Sequence, residues 1–135
     1  MVKVAITYDG SLSFSATHGP SDSKLTTDAP VDNKGLGRTF SPTDLLVTSV
    51  GTCAGTLMAI YADNNDLDLT GMTVELEKHM QADPRRVGRI DVTVHVPIKL
   101  DERQRHAMEY AAEHCPVQMS LHPDVDVRMI FVYPA

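Results

Sequence analysis

From its second residue the chain alternates, Val2, Val4, Ile6 and Tyr8 being separated by Lys3, Ala5 and Thr7. A repeat of two sets one side of a strand on a core, and Asp9-Gly10 supplies a turn. Leu12, Phe14 and Ala16 alternate with Ser11, Ser13 and Ser15, which predicts a second strand. Leu25 to Asp28 predicts a short third one, ahead of a loop rich in Gly, Asn, Asp and Pro from about Ala29 to Phe40.

Ser41-Pro42-Thr43-Asp44 reads as a helix start, with Ser as N-cap, Pro at the first helical position and an acid three residues after the cap. From Leu45 to Tyr61 no residue is charged, and Leu46, Val50, Ala54, Leu57, Met58 and Tyr61 recur at helical steps, so a buried helix is predicted. It approaches the length of a membrane span, yet Thr48, Ser49, Thr52 and Thr56 dilute the apolar run and a cap opens it. A soluble core helix is expected, with no membrane partner. The small residues from Ser49 to Thr56 cost helix propensity and suit a closely approaching neighbour.

After Asn64-Asn65-Asp66 the period returns to two. Met72, Val74, Leu76, Lys78 and Met80 form one strand, and Ile90, Val92, Val94, Val96 and Ile98 another, joined across Gln81 to Gly88. Asp101 caps an amphipathic helix to about His114, Cys115-Pro116 breaks it, Val117 to Leu121 adds one turn, and Val125, Val127, Met129 and Phe131 close with a strand. The order β-β-β-α-β-β-α-α-β defines an α+β fold.

The length of 135 residues predicts a single domain over residues 1–135, and 42% hydrophobic with 22% charged residues predicts that it folds. The net charge is -6 and the basic residues are scattered, which argues against nucleic acid as a partner. Aromatic residues make up only 5%, so any ligand site should be small or shared between chains. The alternating N-terminus contains no continuous apolar h-region, which predicts a cytoplasmic protein without a signal peptide.

Two cysteines in such a compartment are poor candidates for a structural disulfide. Cys53, mid-helix, reads either as a small buried hydrophobe or as a reactive thiol. Cys115 precedes Pro116, where free N–H groups of the next turn are expected to lower a thiol pKa; the competing reading is a neutral helix break. The pair lacks a local Cys-x-x-Cys signature.

Ser41-Pro42-Thr43-Asp44-Leu45-Leu46, then Val50-Gly51-Thr52-Cys53, then Cys115-Pro116-Val117 together resemble the OsmC/Ohr family of osmotically inducible and organic hydroperoxide resistance proteins. The likeness extends over nearly the whole chain and its element order. It implies an intertwined homodimer with two sites at the subunit interface and, in active members, a thiol peroxidase. The cysteine matched by Cys53 attacks a small hydroperoxide, that matched by Cys115 resolves the sulfenic acid to a disulfide, and a separate thiol reductant restores both.

Family peroxidases carry an arginine in a Gly-rich turn after the first strand, whereas this chain has Asp9-Gly10-Ser11-Leu12. Arg38, in Gly35-Leu36-Gly37-Arg38, is the nearest replacement; its other reading is a solvated loop charge. Asp44 falls where OsmC-like members carry an acid and is also an N3 cap residue. Nine helical residues, a rise of roughly 13 Å and half a turn, separate Asp44 from Cys53, so an Asp44 serving Cys53 would come from the other subunit. The histidines at 18, 79, 95, 106, 114 and 122 show no metal-ligand spacing and read as solvated, and Gly35-Leu36-Gly37 reads as loop flexibility. No cofactor or metal is implied. Two further readings stand beside the peroxidase: a non-enzymatic dimer binding a small apolar or thiol-reactive ligand at its interface, and a purely structural dimer.

Overall fold

The computed structural model describes residues 1–135, in two compact units, 1–46 and 47–135. The first is built on an antiparallel sheet of β1 (Val4–Gly10), β2 (Ser13–His18) and β3 (Lys24–Asp28), in that order. Tyr8 lies opposite Phe14, Ile6 opposite Ala16 and Ala16 opposite Leu25, which collects the apolar residues on one face. The Tyr8 and Phe14 ring centroids are 5.0 Å apart.

The β1–β2 turn is Ser11-Leu12, not Asp9-Gly10. Both central residues have positive φ, 54° and 59°, the twist that a two-residue hairpin needs, and β1 continues through Gly10. A second expectation also fails. Ile6 is 65% and Tyr8 55% exposed, so the first unit builds no core of its own on this face. Period two identifies a two-faced strand, but nothing in it says what covers the apolar side.

The loop after β3 contains a single 3-10 turn, Val31–Asn33. Its glycines serve packing rather than flexibility. The amides of Asn33 and Gly35 both donate to the Pro30 carbonyl, and a Cβ on Gly35 would lie 1.7 Å from the Ala29 carbonyl oxygen.

The second unit contains most of α1 (Pro42–Asn64) and a sheet of β4 (Thr73–Gln81), β5 (Arg86–His95) and β6 (Asp126–Val132). β4 and β5 are antiparallel, and β5 and β6 are parallel, the crossover between them carrying α2 (Glu102–Glu113) and α3 (Pro116–Ser120). Asp101 caps α2 in a full capping box with Gln104. Val50, Ala54, Met58 and Ala62 of α1 share one core with Ile90, Val92 and Val94 of β5 and with Met108 and Ala112 of α2.

α1 is buried along one stripe only, which corrects the expectation of a helix buried all round. Leu46 and Ile60 are exposed, as are Thr52 and Thr56, whose hydroxyls donate to the carbonyls of Thr48 and Thr52 at 3.0 and 2.7 Å. A helix lying on one sheet needs one apolar face. Here the outer face is uncharged because hydroxyl side chains bonded to their own backbone replace the usual charges. α1 is long and apolar enough to cross a membrane by length and composition, but its buried stripe belongs to the core shared with the sheet. The close neighbour called for by its small residues is in part this chain's own sheet: a Cβ on Gly51 would lie 2.8 Å from Leu76 Cδ1.

Candidate active site

The second unit brings the two cysteines together. Cys53 stands at mid-length on α1 and is half-buried; Cys115 is fully buried as the N-cap residue of α3, with Pro116 at the first helical position. Pro fits there because its missing N–H has no helical partner to lose. The thiols are within hydrogen-bonding reach of each other.

Burial pushes the Cys115 thiol above its ordinary pKa, and the contact with Cys53 pushes it the same way. The amides of Gln118 and Val117, at the start of α3, donate to its sulfur and pull the other way, but they do not prevail. This overturns the expected lowering. Two amides of a five-residue helix are present as anticipated, but they act on a sulfur already removed from water. Cys115 therefore keeps its proton and can donate its S–H to the sulfur of Cys53, which is the less buried of the two.

Arg38 and Asp44 belong to the first unit, and each has an identified partner there. The Arg38 guanidinium forms a two-pronged pair with Asp28, Nε to Oδ2 at 2.9 Å and Nη2 to Oδ1 at 3.0 Å, and its amide donates to Oδ2 at 2.8 Å. Asp28 is 2% exposed, while the Arg38 side chain is 57% exposed. The Arg38 hydrogen bond, opposed by burial and helped by a bond from Ser13, holds Asp28 well below the usual carboxylate range, at about 2. Arg38 is thus a fixed cation with a buried counter-ion. Sequence reasoning missed Asp28, because an acid at a strand end gives no sign of the arginine that a folded loop returns to it.

Asp44 closes a reciprocal cap. The Ser41 amide donates to Asp44 Oδ2 at 2.9 Å, and the Asp44 amide donates to Ser41 Oγ at 3.1 Å. The cap role expected from the sequence is in place. Ser11, in the segment that matches the family's arginine-bearing turn, is a turn residue with positive φ.

The histidines divide. His18 is bonded to Ser21 at 2.6 Å and His114 to the Tyr110 carbonyl at 2.8 Å. His79 is no solvated imidazole, because the β4–β5 register sets it among Glu77, Arg89 and Asp91.

A thiol pair of unequal burial, carried by a long central helix and a later helix cap in an α+β chain with two small sheets, defines a dithiol protein of OsmC-like fold. Residues 34–129 match the family described as OsmC-like protein. A protein from Psychrobacter arcticus 273-4, named for osmotic stress induction and a detoxification response, is 41% identical, with a TM-score of 0.93 over 97% of this chain and 96% of that one. The chain belongs to the OsmC-like family.

The fold extends to more distant structures. The organic hydroperoxide resistance protein OsmC of Legionella pneumophila has 18% identity and a TM-score of 0.73, over 98% of this chain and 96% of that one. OhrB of Bacillus subtilis, also an organic hydroperoxide resistance protein, has 19% identity and a TM-score of 0.70, over 97% of each chain. No curated protein matches in sequence.

Proposed function

We propose that the protein is a thiol-dependent peroxidase that reduces organic or inorganic hydroperoxides. The observation that carries this reading is the contact between an accessible Cys53 and a buried Cys115. The Cys53 thiolate attacks the outer peroxide oxygen; the O–O bond breaks, an alcohol or water leaves, and Cys53 becomes a sulfenic acid. The Cys115 sulfur then displaces the hydroxyl, its own proton leaving with that hydroxyl as water, and a disulfide forms. A thiol reductant returns both cysteines to thiols. Neither step needs a bound cofactor.

The working protein in this proposal is a homodimer in the cytoplasm. Its support is the apolar face of β1–β3, an exposed surface suited to a second copy. Arg38, pinned by Asp28, is the proposed cation of the site. Asp44 caps α1 and, in a dimer, would serve the partner's cysteine.

The name of the Legionella relative and that of OhrB, both organic hydroperoxide resistance proteins, agree with this reading. A second reading, a dimer that binds a small apolar or thiol-reactive ligand without turnover, is favoured by Ser11 in the turn after β1 and by the commitment of Arg38 Nε and Nη2 to Asp28.

The two readings separate on treating the reduced protein with cumene hydroperoxide or hydrogen peroxide and analysing its peptides by mass spectrometry. The peroxidase loses two hydrogens across the Cys53 and Cys115 peptides. Cys115→Ser reacts once and then over-oxidises at Cys53, and Cys53→Ser consumes nothing. Unmodified cysteines after excess peroxide would reject the peroxidase.

A further inference from the structure

We infer that Glu77, His79 and Asp91, on the outer face of the β4–β5 pair, form a binding site for a divalent ion of the zinc class, with Arg89 as the built-in cation that the metal displaces. The register places Glu77 opposite Asp91 and His79 opposite Arg89, with an irregularity immediately after His79. Two carboxylates facing each other across an antiparallel pair repel and need a cation between them.

Their ligand atoms converge. His79 Nε2 lies 3.2 Å from Glu77 Oε1 and 3.1 Å from Asp91 Oδ2, and the three atoms lie within 4.8 Å of one another. Arg89 Nη2 is 3.1 Å from both His79 Nε2 and Asp91 Oδ2.

No protonation state of His79 satisfies all of these contacts. With Nε2 unprotonated, Arg89 donates to it, but its lone pair then faces two carboxylate oxygens. With Nε2 protonated, its N–H can serve the carboxylates, but it then opposes the Arg89 N–H. The arginine is also poorly placed, since its Nε is buried without a hydrogen-bond partner.

A metal ion resolves the conflict, because it accepts all three lone pairs at once. Tetrahedral zinc with bonds of about 2.0–2.1 Å sets its ligands roughly 3.3 Å apart, close to the 3.2 and 3.1 Å that separate Glu77 and Asp91 from His79. One imidazole with two carboxylates suits a borderline ion such as Zn²⁺ better than Mg²⁺ or Ca²⁺, which prefer oxygen alone. Glu77 is exposed, which leaves the fourth position to water. Arg89, whose side chain is half-buried with its Nε covered, can turn its guanidinium outward when the ion enters.

The test is Zn²⁺ affinity by competition with a chromogenic chelator, on the full-length chain carrying Cys53→Ser and Cys115→Ser so that thiols do not compete. One ion per chain is expected. His79→Gln and Asp91→Asn should each weaken it by at least about 10- to 100-fold, the loss typical even of a group that only supports a ligand. Arg89→Gln should strengthen it several-fold, since the competing cation is gone. In the same Cys53→Ser, Cys115→Ser chain, imidazole proton resonances followed during Zn²⁺ titration should move first at His79 among the six histidines. No stoichiometric ion, an affinity unchanged by His79→Gln, weaker binding in Arg89→Gln, or a first shift at another histidine would each overturn the site.

Discussion

Gly51 and Gly55 sit one helical step apart on the same face of α1, and the same substitution at each should have opposite effects. Replacing a helical glycine with alanine gains about 0.8–1 kcal/mol from backbone entropy and desolvation. At Gly55 the new methyl would meet Met72 Cε at 3.6 Å and Val74 Cγ2 at 3.8 Å, ordinary contacts, so Gly55→Ala keeps that gain. At Gly51 it would lie 2.8 Å from Leu76 Cδ1 and 3.3 Å from Val74 Cγ1. Leu76 can turn its terminal methyl away, but Val74 has one stiff torsion, and overpacking of this kind costs roughly 1–3 kcal/mol. The net for Gly51→Ala is a loss of about 1 kcal/mol, which leaves the two variants about 2 kcal/mol apart. Urea unfolding of both, with unchanged m-values, measures the difference, and melting temperatures should separate by roughly 5–10 °C. Equal effects would show that the sheet is not the neighbour that selects glycine at 51. A loss at Gly55 would show that something outside this chain presses on α1 there.

Two smaller outcomes follow from the first unit. Asp28 has a depressed pKa in the folded chain, about 2 against an ordinary 3.8, so its pairing with Arg38 stabilises the fold above the ordinary value and is lost as the pH falls toward the lower one. The stability gap between wild type and Asp28→Asn, measured by denaturation, should be constant from about pH 5 upward and shrink between about pH 4 and pH 2; a gap independent of pH would contradict the pairing. Asp44→Ala removes one half of the α1 cap and should cost about 0.5–1 kcal/mol in urea unfolding, with Asp44→Glu recovering part of it.

What could be read in advance follows from what is local. Alternation at Val4-Ile6-Tyr8 and at Ile90-Val92-Val94, the Ser41-Pro42 cap and the break at Cys115-Pro116 are properties of short segments, and each element they predict is present. What escaped depends on partners distant in sequence. Asp28 gains its meaning from Arg38 only once the intervening loop has folded back through Pro30 and Gly35. Glu77 and Asp91 meet only because the strand register sets them opposite, and no spacing between their numbers expresses that. The shift of Cys115 has the opposite sign to that expected from sequence for a related reason: its amide donors are encoded next to it, but the burial that outweighs them is supplied by the rest of the unit.

In the proposed peroxidase the same burial would give the two thiols their order. A peroxide must reach sulfur along the O–O axis, and only Cys53 is exposed enough to allow it. Were Cys115 the more acidic thiol, it would compete for oxidant and yield a buried sulfenic acid that no outside reductant could reach. Held neutral and in contact with Cys53, it would, under the proposed reading, react slowly with peroxide yet stand next to the sulfenic acid formed on Cys53. An intramolecular capture of this kind has no diffusional step to wait for, which compensates for the weak nucleophilicity of a protonated thiol. The raised pKa of Cys115 therefore supports the proposed peroxidase: it keeps the resolving thiol out of the first step while leaving its proton available to depart with the hydroxyl in the second.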